Sequence, residues 1–299
     1  MKIYIQRNTQ NAWKWIASGY THAFIYLDHP VVFIDDLIEI KTENPYKVFC
    51  REDMINESNI SILEKSFATY LFVQPNHFPN PWGNHPSWQC HINRQLIQKI
   101  NKLKNIKKWT FCSDLNFFNL WEDVSILPLA FDNINYKSNV CHNYKYDVCF
   151  IGGLANNGYN EKIKIMEQTL NSFISSGLKC GFSVNQNISH DAENQVLINS
   201  KVALNIHDGY QRHLGFDSNE RTFKSLGING ILVCDDVKQV KDLFPFVCCD
   251  NDNEKLIEKV KEYCSLSIED LNKVKHENKN KIEEQHTYIK RVEKLISYS

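Results

Sequence analysis

The chain has no excess of either charge: 34 Lys and Arg stand against 35 Asp and Glu, a formal net of −1 over 299 residues. A protein built to grip nucleic acid or an anionic membrane shows a basic surplus. The balance therefore argues against nucleic acid as a partner and allows at most peripheral membrane contact. One local basic run, residues 102–108 (KLKNIKK), reads as the solvated end of a helix. No apolar run approaches the length of a membrane span. The opening MKIYIQ reads as a strand, not as a charged segment leading into a long apolar core. The ten cysteines contain no Cys-x-x-Cys pair, which removes zinc and dithiol redox motifs. Cys149, Cys180, Cys234 and Cys248 fall within apolar, strand-like runs, where a thiol acts as a small hydrophobe. Together these absences predict a reducing, cytoplasmic compartment. What remains is an ordinary soluble composition, 42% hydrophobic and 23% charged without low-complexity tracts, and length enough for two domains.

Strand-like and helix-like segments alternate through both halves, which predicts a doubly wound α/β architecture. In the first half, strands are expected at 2–6, 23–27, 31–34, 46–50, 68–73 and 109–112, and helices at 11–20 (ending at Gly19), 60–66 and 88–105. Residues 74–88 form an irregular loop with four prolines, two histidines and two tryptophans; a loop of that length inside a compact domain usually has a function. The polar stretch 132–144 (DNINYKSNVCHNY) reads as a linker between a first domain over residues 1–135 and a second over 145–299. In the second half, strand 147–151, helix 159–175, strand 178–184 and helix 191–200 lead to residues 201–236. Beyond these come helix 237–243, strand 245–249 and helix 253–263. A capping box at Ser267 and Asp270 then opens one long amphipathic helix reaching Ile296.

Residues 201–236 carry the chemistry. The apolar run 202–206 reads as a buried strand that gives way to Asn205, His207, Asp208 and Gly209. Asn219-Glu220-Arg221-Thr222 opens a short helix, 223–226, closed by Gly227 and Gly230, and 231–233 is the next strand. Ligands of open α/β sheets bind beyond the carboxyl ends of such strands. A helix N-terminus there offers free N–H groups, and Arg221 beside it can hold a phosphate bidentately. This is the physical outline of a nucleotide-diphosphate site. Asn219 and Thr222 either cap the helix or bond phosphate and ribose, and capping is the simpler role. Asn205 and His207 either face a ligand or make a structural hydrogen bond. Gly152-Gly153 follows a strand and is either a close approach to pyrophosphate or a tight turn; no complete Gly-x-Gly-x-x-Gly surrounds it.

Residues 219–230 (NERTFKSLGING) resemble the donor-binding signature of spore-maturation-type, group 1 glycosyltransferases of the GT-B superfamily, usually Asn-x-Arg-x-Phe-Glu followed by small residues and Gly. YDVCFIGG at 146–153 resembles that family's first strand and glycine turn. His286-Thr287-Tyr288 with Arg291 resembles its closing helix. The resemblance implies two Rossmann-like domains facing a central cleft, with the C-terminal helix crossing back to the first. It implies a nucleotide-sugar as co-substrate, no resident cofactor, and a glycan or other hydroxyl acceptor in surface or secreted glycan synthesis. At this length the acceptor domain would be trimmed. The donor residues would be Gly152, Gly153, Asn205, His207, Asn219, Glu220, Arg221, Thr222 and Lys224. A catalytic base would come from the first domain: His77 or His85 in the irregular loop, or Asp28 at a strand end. Trp82 and Trp88 of that loop either stack on a sugar or pack inside. No metal is expected, because Arg, Lys and a helix dipole can stabilise the leaving diphosphate. Asp250-Asn251-Asp252, which matches the metal motif of the other large glycosyltransferase fold, reads as a turn, as do Asp35-Asp36 and Asp235-Asp236. Lys224 departs from the family's Glu and cannot accept hydrogen bonds from ribose. Either it binds an anionic part of the donor while Glu220 holds the ribose, or the ribose contact is lost. A non-catalytic nucleotide-sugar-binding protein of a coat or complex is the alternative reading.

Overall fold

A computed structural model of the chain describes residues 1–7, 13–79, 89–136, 141–154 and 161–297. The chain divides into two units: Met1–Leu129 with Tyr288–Ser299, and Ala130–Thr287. Each is built on a parallel sheet, so the doubly wound, twice Rossmann-like class expected from the alternation is the one observed.

Unit 1 contains β1 (Lys2–Gln6), α1 (Trp13–Tyr26), β2 (Val31–Ile34), β3 (Tyr46–Arg51), α2 (Ile60–Glu64), β4 (Ala68–Phe72), α3 (Arg94–Asn101), β5 (Ile106–Thr110) and β6 (Val124–Ile126). All pairs are parallel and the order is β2-β1-β3-β4-β5-β6. β4 is buried along its whole length, as a strand covered on both faces must be. Three expectations fail here. The apolar run 23–27 is the last turn of α1, not a strand, since a short apolar run fits either period. α1 also runs through Gly19, because that glycine is a notch: a Cβ there would collide with the Tyr288 ring. Residues 106–108 of the basic run are strand, and Lys108 is buried. Burial pulls its ammonium below the usual lysine range.

Unit 2 contains β7 (Tyr146–Gly152), α4 (Glu161–Ser175), β8 (Cys180–Val184), α5 (His190–Ile198), β9 (Ser200–Asn205), α6 (Gly209–Leu214), α7 (Glu220–Ile228), β10 (Leu232–Cys234), α8 (Lys238–Leu243), β11 (Cys248–Cys249), α9 (Asn253–Ser265) and α10 (Ile268–Gln285). Its sheet has the order β11-β10-β9-β7-β8, again parallel throughout. Val148, Phe150, Val202, Leu204 and Val233 meet Met166, Phe173, Val260 and Leu271 in one core. Each such side chain contributes about 1.5–3 kcal/mol relative to exposure. Within the stretch read as a linker, Asp132–Tyr136 belongs to this unit, and Tyr136 is buried.

Two boundaries differ from expectation near the glycines and the carboxyl end. α7 continues through Gly227, over which the Phe131 ring lies, to Ile228; Gly230 beyond it has φ +88, a left-handed position suited to glycine. The long terminal helix is two helices. α10 ends at Gln285, Phe131 N–H donates to the His286 carbonyl at 2.7 Å, and α11 (Tyr288–Ser297) belongs to unit 1. There Tyr288 fills the Gly19 notch, and Arg291 donates to the Pro128 carbonyl at 2.7 Å and to that of Leu129 at 3.2 Å. The returning helix implied by the resemblance is thus present, and its Tyr and Arg are structural.

Candidate functional site

In both sheets the strand order reverses beside the first strand, the 2-1-3-4-5 pattern that opens a crevice between the carboxyl ends of the first and third strands. In unit 2 those strands are β7 and β9, which end at Gly152 and Asn205. α7 starts at the same edge, with Asn219 as its N-cap accepting from Thr222 N–H at 3.2 Å. The sheet order therefore gathers Gly152, Asn205, Asn219, Arg221 and Thr222, although they span 71 sequence positions.

Arg221 is the centre of this group. Its Nη1 donates to Asn205 Oδ1 at 3.0 Å, and its guanidinium lies 5.2 Å from the Phe150 ring centroid. A Cβ on residue 152 would sit 2.5 Å from Nη2, so Gly152 is the space the arginine occupies. Burial pulls the guanidinium down from its usual value, with Glu220 and Asp208 opposing; an arginine keeps its charge through such a shift. Among the described residues no carboxylate oxygen lies within 4 Å of it, so its remaining N–H groups are available to an anion. Gly153 lies beside Asn185, whose Oδ1 accepts from Leu154 N–H at 2.7 Å.

Behind Arg221 is a largely buried polar network. Asn205 Nδ2 donates to Asn219 Oδ1 at 2.7 Å and to Thr222 Oγ1 at 2.9 Å. His207 Nε2 lies 3.1 Å from Thr222 Oγ1, and its Nδ1 lies 2.6 Å from Asp235 Oδ1. Burial would raise the Asp235 carboxyl, but His207 and Arg212 hold it below the usual carboxylate range. An ionised Asp235 accepts from Nδ1 and so fixes the His207 ring, with Nε2 turned to Thr222. Asn205, His207 and Thr222 have no exposed surface, so they position neighbours. Capping is the role Asn219 performs here.

Lys224 is neutralised. Its Nζ lies 2.6 Å from Glu193 Oε1 and 3.6 Å from Glu220 Oε2, and 5.8 Å from the Tyr136 ring centroid. Burial raises Glu220 despite the lysine. The sequence reading missed Glu193, 31 positions away on α5, and also Lys162, whose Nζ pairs with Asp208 Oδ1 at 2.5 Å. An acidic residue in the first turn of the helix packed on α7 was the only signal for Glu193.

The remaining acidic runs are used locally. Asp252 caps α9, Asp250 accepts from Asp252 N–H, and Asn251 accepts from Arg212 and from Asp236 N–H. Among the described residues one trio, His207, Cys234 and Asp235, brings potential metal donors within 4.8 Å of one another. Its imidazole and carboxylate are already bonded to each other, and Cys234 Sγ lies 3.4 Å from Cys249 Sγ.

In unit 1, His77 is exposed in the loop after β4, 5.8 Å from the Phe117 ring. His85, Trp82 and Trp88 lie outside the described residues. Asp28 is exposed in a left-handed turn (φ 60) that precedes β2, at the edge where strands begin and not where they end. The first-strand/third-strand crevice of this unit holds an unforeseen group, Glu52, directly after β3. It is fully buried, neither carboxylate oxygen has a hydrogen-bond partner among the described residues, and burial, with Asp53 adding, pushes it up to about 8.

No described helix is long and apolar enough to cross a membrane. Comparison with curated proteins gives no match. Solved structures do match over nearly whole chains. AviGT4, a glycosyltransferase involved in avilamycin A biosynthesis, aligns over 100% of this chain and 97% of its own at 9% identity and TM-score 0.61. An α-glucosyltransferase in complex with UDP-glucose and DNA aligns over 95% of both chains at 11% identity and TM-score 0.56. The DNA-modifying β-glucosyltransferase, whose substrate is uridine diphosphoglucose, aligns over 94% of both at 12% identity and TM-score 0.54. At such identities the likeness is one of fold. The family model described as glycosyl transferase-like matches residues 143–297, just over half the chain, and spans the β7 turn, Arg221 and α10. The chain therefore belongs to this glycosyl transferase-like family and is a glycosyltransferase of GT-B fold.

Proposed function

We propose that unit 2 binds a nucleotide-sugar with its diphosphate at the β7/β9 crevice, and that the sugar passes to an acceptor hydroxyl. The observation that carries this is Arg221: a guanidinium at the N-terminus of α7, given room by Gly152, braced by Asn205, with no carboxylate neighbour within 4 Å among the described residues. In the transfer, the bond from the anomeric carbon to the diphosphate oxygen breaks and a bond to the acceptor oxygen forms. The acceptor proton leaves to a base, for which His77 is the candidate among the described residues. Charge grows on the diphosphate as it departs, and Arg221 with the α7 N–H groups is placed to stabilise it without a metal.

Lys224 is engaged by Glu193, which supports Glu220 as the carboxylate nearest to a ribose in this chain. The two glucosyltransferases of similar fold that use uridine diphosphoglucose make uridine nucleotides the first donors to try. A glycan made from the cytoplasmic side, for a surface or for secretion, is the acceptor proposed, in the manner of the spore-maturation type; the near-zero net charge disfavours DNA. A thermal-shift panel of nucleoside diphosphates and their sugars, on wild type and Arg221→Ala, tests the reading. Stabilisation of wild type that is lost in a folded mutant is the expected result, and equal stabilisation of both refutes it. Donor hydrolysis or transfer then separates an enzyme from a non-catalytic binder.

A further inference from the structure

Unit 2 has a second cavity at the other edge of its sheet, where strands begin. It encloses about 230 Å³ between α10 and the residues that lead into β7, β9 and β10. Two lysines one turn apart on α10, Lys275 and Lys279, line it, with His276 and Glu283 on the same helix and Cys141 and Tyr144 opposite. Lys275 is buried, donates to the Ser200 carbonyl at 2.7 Å and lies 4.5 Å from the Tyr144 ring centroid. Among the described residues neither ammonium has a carboxylate oxygen within 4 Å. Burial, with Lys279 adding, pulls Lys275 down to about 7; burial pulls Lys279 down to about 8, against Glu283.

A buried cation with a carbonyl and a ring but no counter-ion is a costly arrangement. Lys275 is such a cation, the half-buried Lys279 one turn along the same wall repels it, and each keeps N–H donors unspent. A dianion between them would offset both costs. The volume is below the roughly 300–1,000 Å³ of pockets that enclose drug-sized ligands, so it suits a small oxyanion and not a nucleotide-sugar. We propose that this cavity binds a phosphate group, free or as a small phosphomonoester, between Lys275 and Lys279. The site lies at the opposite edge of the sheet from Arg221 and does not depend on the donor assignment.

The test uses the full chain carrying Arg221→Ala, so that phosphate cannot act through the donor crevice. Inorganic phosphate is titrated against sodium chloride at matched ionic strength while the melting temperature is followed. A saturable rise with phosphate alone is expected, larger at pH 7 than at pH 9, where both lysines are neutral. Adding Lys279→Gln, a half-buried position that should fold normally, is expected to abolish the rise. In parallel, acylation of Lys275 and Lys279 by acetic anhydride is read by peptide mass spectrometry. Phosphate that raises either amine by one pKa unit slows its labelling about tenfold. Glycerol phosphate in place of phosphate distinguishes an ester from the free ion. No rise beyond the chloride control, an equal rise with Lys279→Gln, or unchanged labelling overturns the proposal.

Discussion

Replacing Lys224 by the glutamate usual in its family is expected to destabilise unit 2 before it reports anything about the donor. The ammonium lies between Glu193 and Glu220, and the three side chains are 8%, 13% and 14% exposed. The substitution removes the cation and leaves three carboxylates together. Orphaning one member of a buried pair costs about 3–5 kcal/mol, and two like charges ~4 Å apart repel by about 4 kcal/mol at an effective dielectric near 20. A loss of about 3–5 kcal/mol is expected for Lys224→Glu, and a similar one for Glu193→Lys. Exchanging both restores an opposite pair, so the double mutant should recover much of the loss and the two single losses should be far from additive. Native-state hydrogen exchange of α5 and α7 in the full chain reads these differences locally. A stable Lys224→Glu protein, or zero coupling, would refute the pairing argument. The exchanged protein also isolates the ribose question, because it offers a carboxylate at position 224 with the charge of the trio unchanged. If Glu220 already serves the ribose, donor affinity should stay near that of wild type; markedly tighter binding would mean that the contact is missing in the natural chain.

Arg221→Ala should weaken donor binding by about 1.5–3 kcal/mol, the usual loss for a charged hydrogen bond, while its circular dichroism and melting temperature stay near wild type; unchanged affinity by calorimetry would remove Arg221 from the site. Glu52→Gln should stabilise the protein above neutral pH. The folded carboxyl binds its proton up to about pH 8 and the unfolded one only to about 4.5, so wild-type stability falls as pH rises between the two values, by up to about 5 kcal/mol. Melting curves of both proteins from pH 5 to 9 should converge at the acid end; parallel curves would show that Glu52 is not so perturbed. Transfer activity should survive EDTA, and loss restored by manganese or magnesium would show that an acidic pair had been misread.

The alternation of elements was legible because buried parallel strands are short apolar runs, and β4, β7 and β9 stand out as such. What those runs do not encode is their order in the sheet, and the order decides which loops meet. Gly152 and Arg221 look like independent features until β7 and β9 are adjacent. α6 was hidden because its six residues carry too few apolar positions to show a period. The break at His286–Thr287 lies in a stripe whose spacing continues through it, so periodicity alone could not divide α10 from α11. The partners of buried charges were the least visible: Glu193 for Lys224 and Asp235 for His207 lie 31 and 28 positions apart. Little in the sequence marks Glu52, whose state is set first by what covers it, with Asp53 adding.

The network behind Arg221 explains how its guanidinium is held with so few direct contacts. Asp235 is held ionised, so it accepts from His207 Nδ1 and sets the ring with Nε2 facing Thr222. Asn205 spends both N–H groups on Asn219 and Thr222, and only its carbonyl oxygen is left for Arg221. Each orientation thus follows from the one before it, from a carboxylate at the end of β10 to a guanidinium at the start of α7. A polar chain linked in this way holds its last member in one geometry, because any slip would leave a buried donor or acceptor unmade at a cost of about 1–3 kcal/mol. The rigidity that long arginine side chains lack is supplied from behind. On the proposed donor reading, Arg221 meets an anion already oriented, and binding need not order it first.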